Sequence, residues 1–250
     1  MKPLLAIFAV CLAVGAPAHA DETAHKMSEM RKHLQKHHGG KTFFYVEGER
    51  LEYQSNEGDP VFLWDAQGWF GGDRNRLWLK SEGEYSFDAD EFEEAEIQAL
   101  WSHAISRYFD LQAGIRHDFA PGDARTFAVA GVQGLLPYLF EIDAAVFVSD
   151  DGDVEARIET EYELLITQRL ILQPRTELSF AAQNIPDYGV GAGLSNVEVG
   201  TRLRYEIARQ FAPYVGVSWA RSVGNAADFA RADGDDPGSI SFVAGVRTWF

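Results

Sequence analysis

Arg157-Ile158-Glu159-Thr160-Glu161-Tyr162-Glu163-Leu164 alternates charge and bulk without a break. In an extended chain successive side chains leave opposite faces. Ile158, Thr160, Tyr162 and Leu164 therefore share one face, and Arg157, Glu159, Glu161 and Glu163 share the other. A helix would scatter both sets around its circumference; a strand sorts them. Asn196 to Ile207 repeats the pattern, with Val197, Val199, Thr201, Leu203 and Tyr205 against Glu198, Arg202, Arg204 and Glu206. Ile240 to Phe250 sets Phe242, Ala244, Val246 and Phe250 on a common apolar face.

Outward from these stretches, the period of two runs from about Thr42 to Phe250, broken by turn residues roughly every ten positions. It parses into twelve strands, within a range of ten to twelve: about 42–53, 61–70, 74–87, 91–105, 108–119, 124–135, 138–149, 154–166, 169–182, 193–207, 210–222 and 239–250. A soluble sandwich also alternates, but its strands usually hold about five or six residues. Strands of ten to fourteen suit a tilted membrane crossing. The connections alternate in length as well. Tight turns at Gly71-Gly72-Asp73, Ser106-Arg107, Leu136-Pro137, Thr167-Gln168 and Ala208-Arg209 contrast with loops 183–192 and 223–238. The expected fold is all-β, an antiparallel transmembrane β-barrel with short periplasmic turns and long outer loops. Phe43, Tyr45, Trp69, Phe87, Trp101, Tyr108, Tyr138 and Trp219 stand near strand ends, where aromatic girdles form. Phe250 ends the last amphipathic strand, which resembles the signal read by the bacterial barrel-assembly machinery.

If the lipid face is apolar, the other face turns inward. It collects Lys80, Glu82, Glu84, Glu94, Glu96, Arg116, Asp143, Glu155, Arg157, Glu159, Glu161, Glu163, Arg175, Glu177, Glu198, Arg202, Arg204, Glu206 and Arg247. Both signs are present with acids in excess. Such groups either pair across strands and fix register, or leave surplus carboxylates as a cation path. His103 and His117 fall in the apolar phase, read as near the periplasmic ends, and are not taken as ligands.

Residues 1–20 have the form of a secretory signal: Lys2, an apolar run from Leu4 to Gly15, and the small-x-small site Ala18-His19-Ala20. The run is too short for a membrane helix, which needs about 20 apolar residues. Cys11 is the chain's one cysteine and falls inside this signal, so the exported protein is expected to be free of thiols and disulfides. The net charge of −16 argues against nucleic acid as a partner. No Gly-x-Ser-x-Gly follows the signal, and only His103 and His117 lie in the barrel region, so an enzyme is not expected. Asp150-Asp151-Gly152-Asp153 and Asp233-Gly234-Asp235-Asp236 offer carboxylates, but neither completes a calcium loop and Asp-Gly pairs are ordinary turn residues.

Residues 21–41 form a third region before the barrel (42–250), read as a short periplasmic leader. His25, Met27, Met30, His33, His37 and His38 concentrate two of the chain's three methionines and four of its seven histidines. Met30, His33 and His37 would share one face of a helix. Thioether selects Cu(I), and imidazole takes Cu(II) and zinc as well, so these six are the candidate metal ligands, with copper as the ion they suit; the alternative is a disordered polar leader whose histidines bind nothing in particular.

The chain also resembles the copper resistance protein B family, outer-membrane proteins of periplasmic copper-resistance systems. The likeness is densest in Trp64-Asp65-Ala66-Gln67-Gly68-Trp69-Phe70-Gly71-Gly72-Asp73, Arg76-Leu77-Trp78-Leu79-Lys80 and Glu82-Gly83-Glu84. It resumes at Gly131-Val132-Gln133-Gly134, Pro137-Tyr138, Thr167-Gln168-Arg169, Gln173-Pro174-Arg175, Leu203-Arg204-Tyr205-Glu206 and Phe211-Ala212-Pro213-Tyr214. The resemblance implies a Gram-negative outer-membrane barrel whose Met- and His-rich periplasmic stretch binds copper, with membrane lipid, copper ions and a periplasmic copper-carrying protein as partners. Residues 25–38 occupy that place but lack repeated Met motifs, so a site for one or two ions is expected rather than a high-capacity store. The implied function is copper resistance by binding periplasmic copper and passing it outward. The alternative is a general passive pore or structural barrel without metal preference.

Overall fold

A computed structural model describes residues 26–30, 41–56 and 59–250, in two units divided between Lys41 and Thr42. In the first unit, residues 26–30 are helical. The signal region and the candidate ligands His25, His33, His37 and His38 lie outside the described residues.

The second unit is a closed antiparallel barrel. Its segments are β1 (Phe43–Gln54), β2 (Val61–Gly71), β3 (Asn75–Ser86), β4 (Glu91–Ala104), β5 (Phe109–Ala120), β6 (Arg125–Leu136) and β7 (Phe140–Ser149). Then follow β8 (Val154–Glu161), β9 (Leu164–Leu165), β10 (Leu170–Ala181), β11 (Gly193–Tyr205), β12 (Phe211–Ser222) and β13 (Gly238–Trp249). Successive strands pair antiparallel, and β13 returns to β1 through Glu47↔Trp249 and Gln54↔Val243, so the sheet closes and no edge remains. Val46 and Phe250 exchange backbone bonds of 3.1 and 2.8 Å at this seam.

β8 and β9 both pair with β10, so thirteen described segments make twelve staves. One unbroken strand was expected over 154–166; the chain instead leaves the ladder at Tyr162–Glu163. Tyr162 N–H donates to the carbonyl of Pro174 on β10 at 3.1 Å. Proline has no N–H to return that bond, so the ladder is broken at this pair.

The exterior is apolar. Leu79, Ile97, Ile115, Val146, Val215 and Phe242 are among many large apolar side chains left exposed, on strands whose alternate residues are buried and polar. In water such a band would be costly; in a bilayer it is what a closed strand cylinder presents. Among the described residues no helix is long and apolar enough to cross a membrane.

Two expectations change. Tyr45 and Trp69 do not join a lipid-facing girdle. Trp69 is in phase with Asp65 and Gln67, packs on a buried cluster inside the barrel, and stacks with Tyr45 at 6.3 Å. Trp101 and Trp219 do lie on the exposed face. His103 and His117 do not share an end of the barrel: His103 pairs with Asn75 beside the 72–74 turn, and His117 with Thr126 beside the opposite 121–124 loop.

The long-loop end carries a helix, Asn225–Asp233, stopped by Gly234 at φ 97°. The Asn225 side chain donates to Asn184 Oδ1 at 2.9 Å, which ties this loop to the 182–192 loop. Asp150 to Asp153 is a tight turn with Gly152 at φ 91° and a 2.8 Å bond from Ser149 N–H to Asp153 O. The turn reading holds for Asp150–Asp153, whereas in the second run Asp233 ends the helix and Gly234 makes the turn.

Candidate functional site: the charged lumen

The interior begins with a defect in β1. The β1 register slips against β2 and β13 between Gly48 and Leu51, so Glu49 is an extra residue in the strand. A bulge re-aims side chains. Here it lets Glu47, before the slip, and Arg50, Glu52 and Gln54, after it, all be buried.

Arg50 donates to Asp65 on β2 at 3.2 Å and to Glu82 on β3 at 2.6 Å. The other oxygen of Glu82 accepts from Arg157 on β8 at 2.9 Å, and Arg157 also donates to Glu96 on β4 at 3.2 Å. Strands β3 and β8 are not neighbours, so these bonds cross the lumen. Arg116 meets Glu96 at 2.8 Å from the other side. Arg175 joins Glu159 and Glu177 at 2.6 and 2.8 Å. Arg202 grips both oxygens of Glu52 at 2.9 and 2.7 Å, and the Tyr214 hydroxyl donates to the same carboxylate at 3.0 Å. Lys80 reaches Asp143 at 2.5 Å, and Arg247 bridges Glu47 and Glu163. Buried charge is tolerated only when each ion finds several such partners.

One wall is different. Trp78, Leu100, Phe127, Val129 and Phe147 form a buried cluster, with the Arg116 guanidinium over the rings of Phe127 and Phe147 at 5.2 and 4.8 Å. These contacts hold Arg116 flat against the wall and orient it towards Glu96.

The belt Arg50–Glu82–Arg157–Glu96 divides the interior. A cavity of about 260 Å³ opens towards the short turns and one of about 270 Å³ towards the long loops, and Glu82 lines both. Carboxylates outnumber cations in each: Glu49, Asp65, Glu141, Asp143, Glu159 and Glu161 against Lys80 and Arg157 in the first, Glu84, Glu93, Glu94, Glu177 and Glu198 against Arg50 in the second. The middle is paired, as one of the two alternatives had it, and among the residues lining each vestibule carboxylates exceed cations.

Among the inward charges read from sequence, Lys80, Glu82, Glu84, Glu94, Glu96, Asp143, Arg157, Glu159, Glu161, Glu177 and Glu198 line one cavity or the other. Glu47, Glu49, Arg50, Glu52 and Asp65 were missed. For Glu49, Arg50 and Glu52 the reason is the bulge, which breaks strict alternation; Glu47 shares the phase of Tyr45, which was read as facing lipid, and Asp65 has the inward phase of Leu63 and Gln67, a signal present in the sequence.

Of the six leader candidates, Met27 and Met30 are described; they stand one turn apart in the helical stretch, 54% and 63% exposed. Among the described residues no group of three or more His, Cys, Asp or Glu stands at metal-chelating spacing.

Comparisons with known proteins fit this architecture. The chain is 14% identical to the NanC porin, whose solved structure superposes with a TM-score of 0.53 over 82% of this chain and 99% of that one, a likeness of fold. A copper resistance protein B homolog from Pseudomonas syringae pv. tomato is 48% identical over 206 residues, covering 82% of this chain and 69% of that protein. Copper resistance protein B of Escherichia coli is 47% identical over 202 residues, 81% of this chain and 68% of that protein. The family model described as copper resistance protein B precursor matches residues 42–250, the whole barrel. With the expected likeness borne out over every stave, the chain belongs to the copper resistance protein B family.

Proposed function

We propose that this protein contributes to copper resistance as an outer-membrane barrel that binds copper on its N-terminal segment and passes it outward through the lumen. Residues 1–20 act as the export signal, and His25, Met27, Met30, His33, His37 and His38 sit in the periplasm, supplied by a periplasmic copper carrier. Thioether and imidazole donors on one short segment suit an ion that cycles between Cu(I) and Cu(II). The observation that carries the reading is the pairing of this soft-ligand segment with a barrel whose two vestibules both have surplus carboxylate. The apolar exterior and the membership in a copper-resistance family support the location and the ion. No catalytic step enters this reading.

Calorimetric titration of a peptide spanning residues 21–41 tests the binding half. The expected result is one or two ions bound with a dissociation constant well below about 1 mM. Affinity weaker than that for both Cu(I) and Cu(II) defeats it.

A further inference from the structure

The cavity towards the short turns holds three carboxylates that the ion-pair belt leaves out. Glu49, Glu141 and Glu161 all line it, and none of the three is in an ion pair among the described residues. Glu141 and Glu161 are direct cross-strand partners on β7 and β8, an arrangement in which like charges repel. Glu161 is only 5% exposed, and its Oε1 has no hydrogen-bond partner. A buried carboxylate oxygen left bare is costly unless a ligand or water meets it. Glu49 enters the same cavity as the extra residue of the β1 bulge, with Gln67 Nε2 donating to its Oε2 at 3.1 Å. Two independent features therefore converge: a bulge that supplies a carboxylate, and a buried oxygen without a partner.

We propose that Glu49, Glu141 and Glu161 bind a hydrated divalent cation inside the barrel. No His, Cys or Met lines this cavity, so its donors are oxygens and select hard or borderline ions. Copper enters as Cu(II) and not as Cu(I), which wants thioether or thiolate. Among the described residues no three such side chains form a direct chelating group, so the ion is held through part of its water shell. The cavity of about 260 Å³ has room for it, since a water occupies about 30 Å³ in the liquid. The site deepens the reading of the lumen as a cation path, because it gives the ion a resting place below the belt and fixes its charge.

The test uses the full chain purified in detergent and Mn(II), a hard ion whose free form is counted by electron paramagnetic resonance. One Mn(II) per barrel is expected, with a dissociation constant below about 1 mM, weakened at least about tenfold by Glu161→Gln and by Glu141→Gln, since affinity follows ligand charge. Glu84→Gln in the other cavity and alanine at all six leader positions leave it unchanged. Cu(II) displaces the Mn(II); Cu(I) under anaerobic reduction does not. Glu141 stands at an exposed position, so its variant remains informative if Glu161→Gln fails to reach the folded, heat-modifiable form. Absent Mn(II) binding, binding unaffected by these variants, or displacement by Cu(I) overturns the proposal. Because Mn(II) bypasses the Met and His donors, a negative result leaves the leader's copper binding standing, and a copper-inert leader leaves this site standing.

Discussion

Arg157 leaves β8, crosses the lumen and holds Glu82 and Glu96 on strands far from it in the sheet. With Arg50 on the other oxygen of Glu82, it forms the partition between the two cavities. Replacing it with Gln removes the cation from two carboxylates at once. Breaking a buried pair typically costs about 3–5 kcal/mol, but here Arg50 and Arg116 remain on Glu82 and Glu96 and limit the loss. Arg157→Gln is therefore expected to fold and to conduct several-fold more current than wild type in planar bilayers. Equal conductance would mean that the belt does not obstruct the lumen. The sequence showed Arg157, Glu82 and Glu96 as inward residues because their strands alternate cleanly. It concealed Arg50 and Glu52, because a one-residue bulge reverses the phase of everything after it.

At the scale of the strand, the hairpin β2–β3 explains why Trp64 and Gly83 occur together in the family-like stretch. The Trp64 indole lies across Gly83, donates from Nε1 to Ser81 Oγ at 3.2 Å, and meets the edge of Phe92 at 5.9 Å. A Cβ on Gly83 would come within 2.2 Å of the indole and 2.6 Å of the Glu94 carbonyl. The glycine thus makes room for the ring, which in turn covers bare backbone. Gly83→Ala should lower stability in denaturant unfolding by about 1–3 kcal/mol, as overpacking does; an unchanged midpoint would show that the ring can swing away at no cost. The strand pattern was legible almost throughout, since a half-apolar strand announces itself by its period. The break after Glu161 was not, because its cause lies on another strand: Pro174, the pairing partner that cannot donate.

For the whole molecule, the apolar exterior means that the solvent of this fold is lipid. Val217 is exposed in the middle of β12, with Gly216 and Ser218 turned to the other face. Because Val217 is central in this twelve-residue strand, Val217→Arg should cost about 2–4 kcal/mol of barrel stability in lipid. A surface residue of a soluble sandwich would accept the change almost freely, and that outcome would remove the barrel from the bilayer. The lumen was partly legible as a whole, since its acid excess can be read from the strands, whereas its division into two cavities depends on contacts between distant staves. The proposed copper ligands were read from residue type and spacing alone, and of the six Met27 and Met30 are described.

Copper tolerance is the most direct test, measured in a strain deprived of this protein and supplied with either the intact chain or one carrying alanine at positions 25, 27, 30, 33, 37 and 38. With both barrels accumulating equally in the outer membrane, the intact chain should restore growth in copper and the substituted chain should not. Full restoration by the substituted chain would contradict the account and leave a passive barrel in its place.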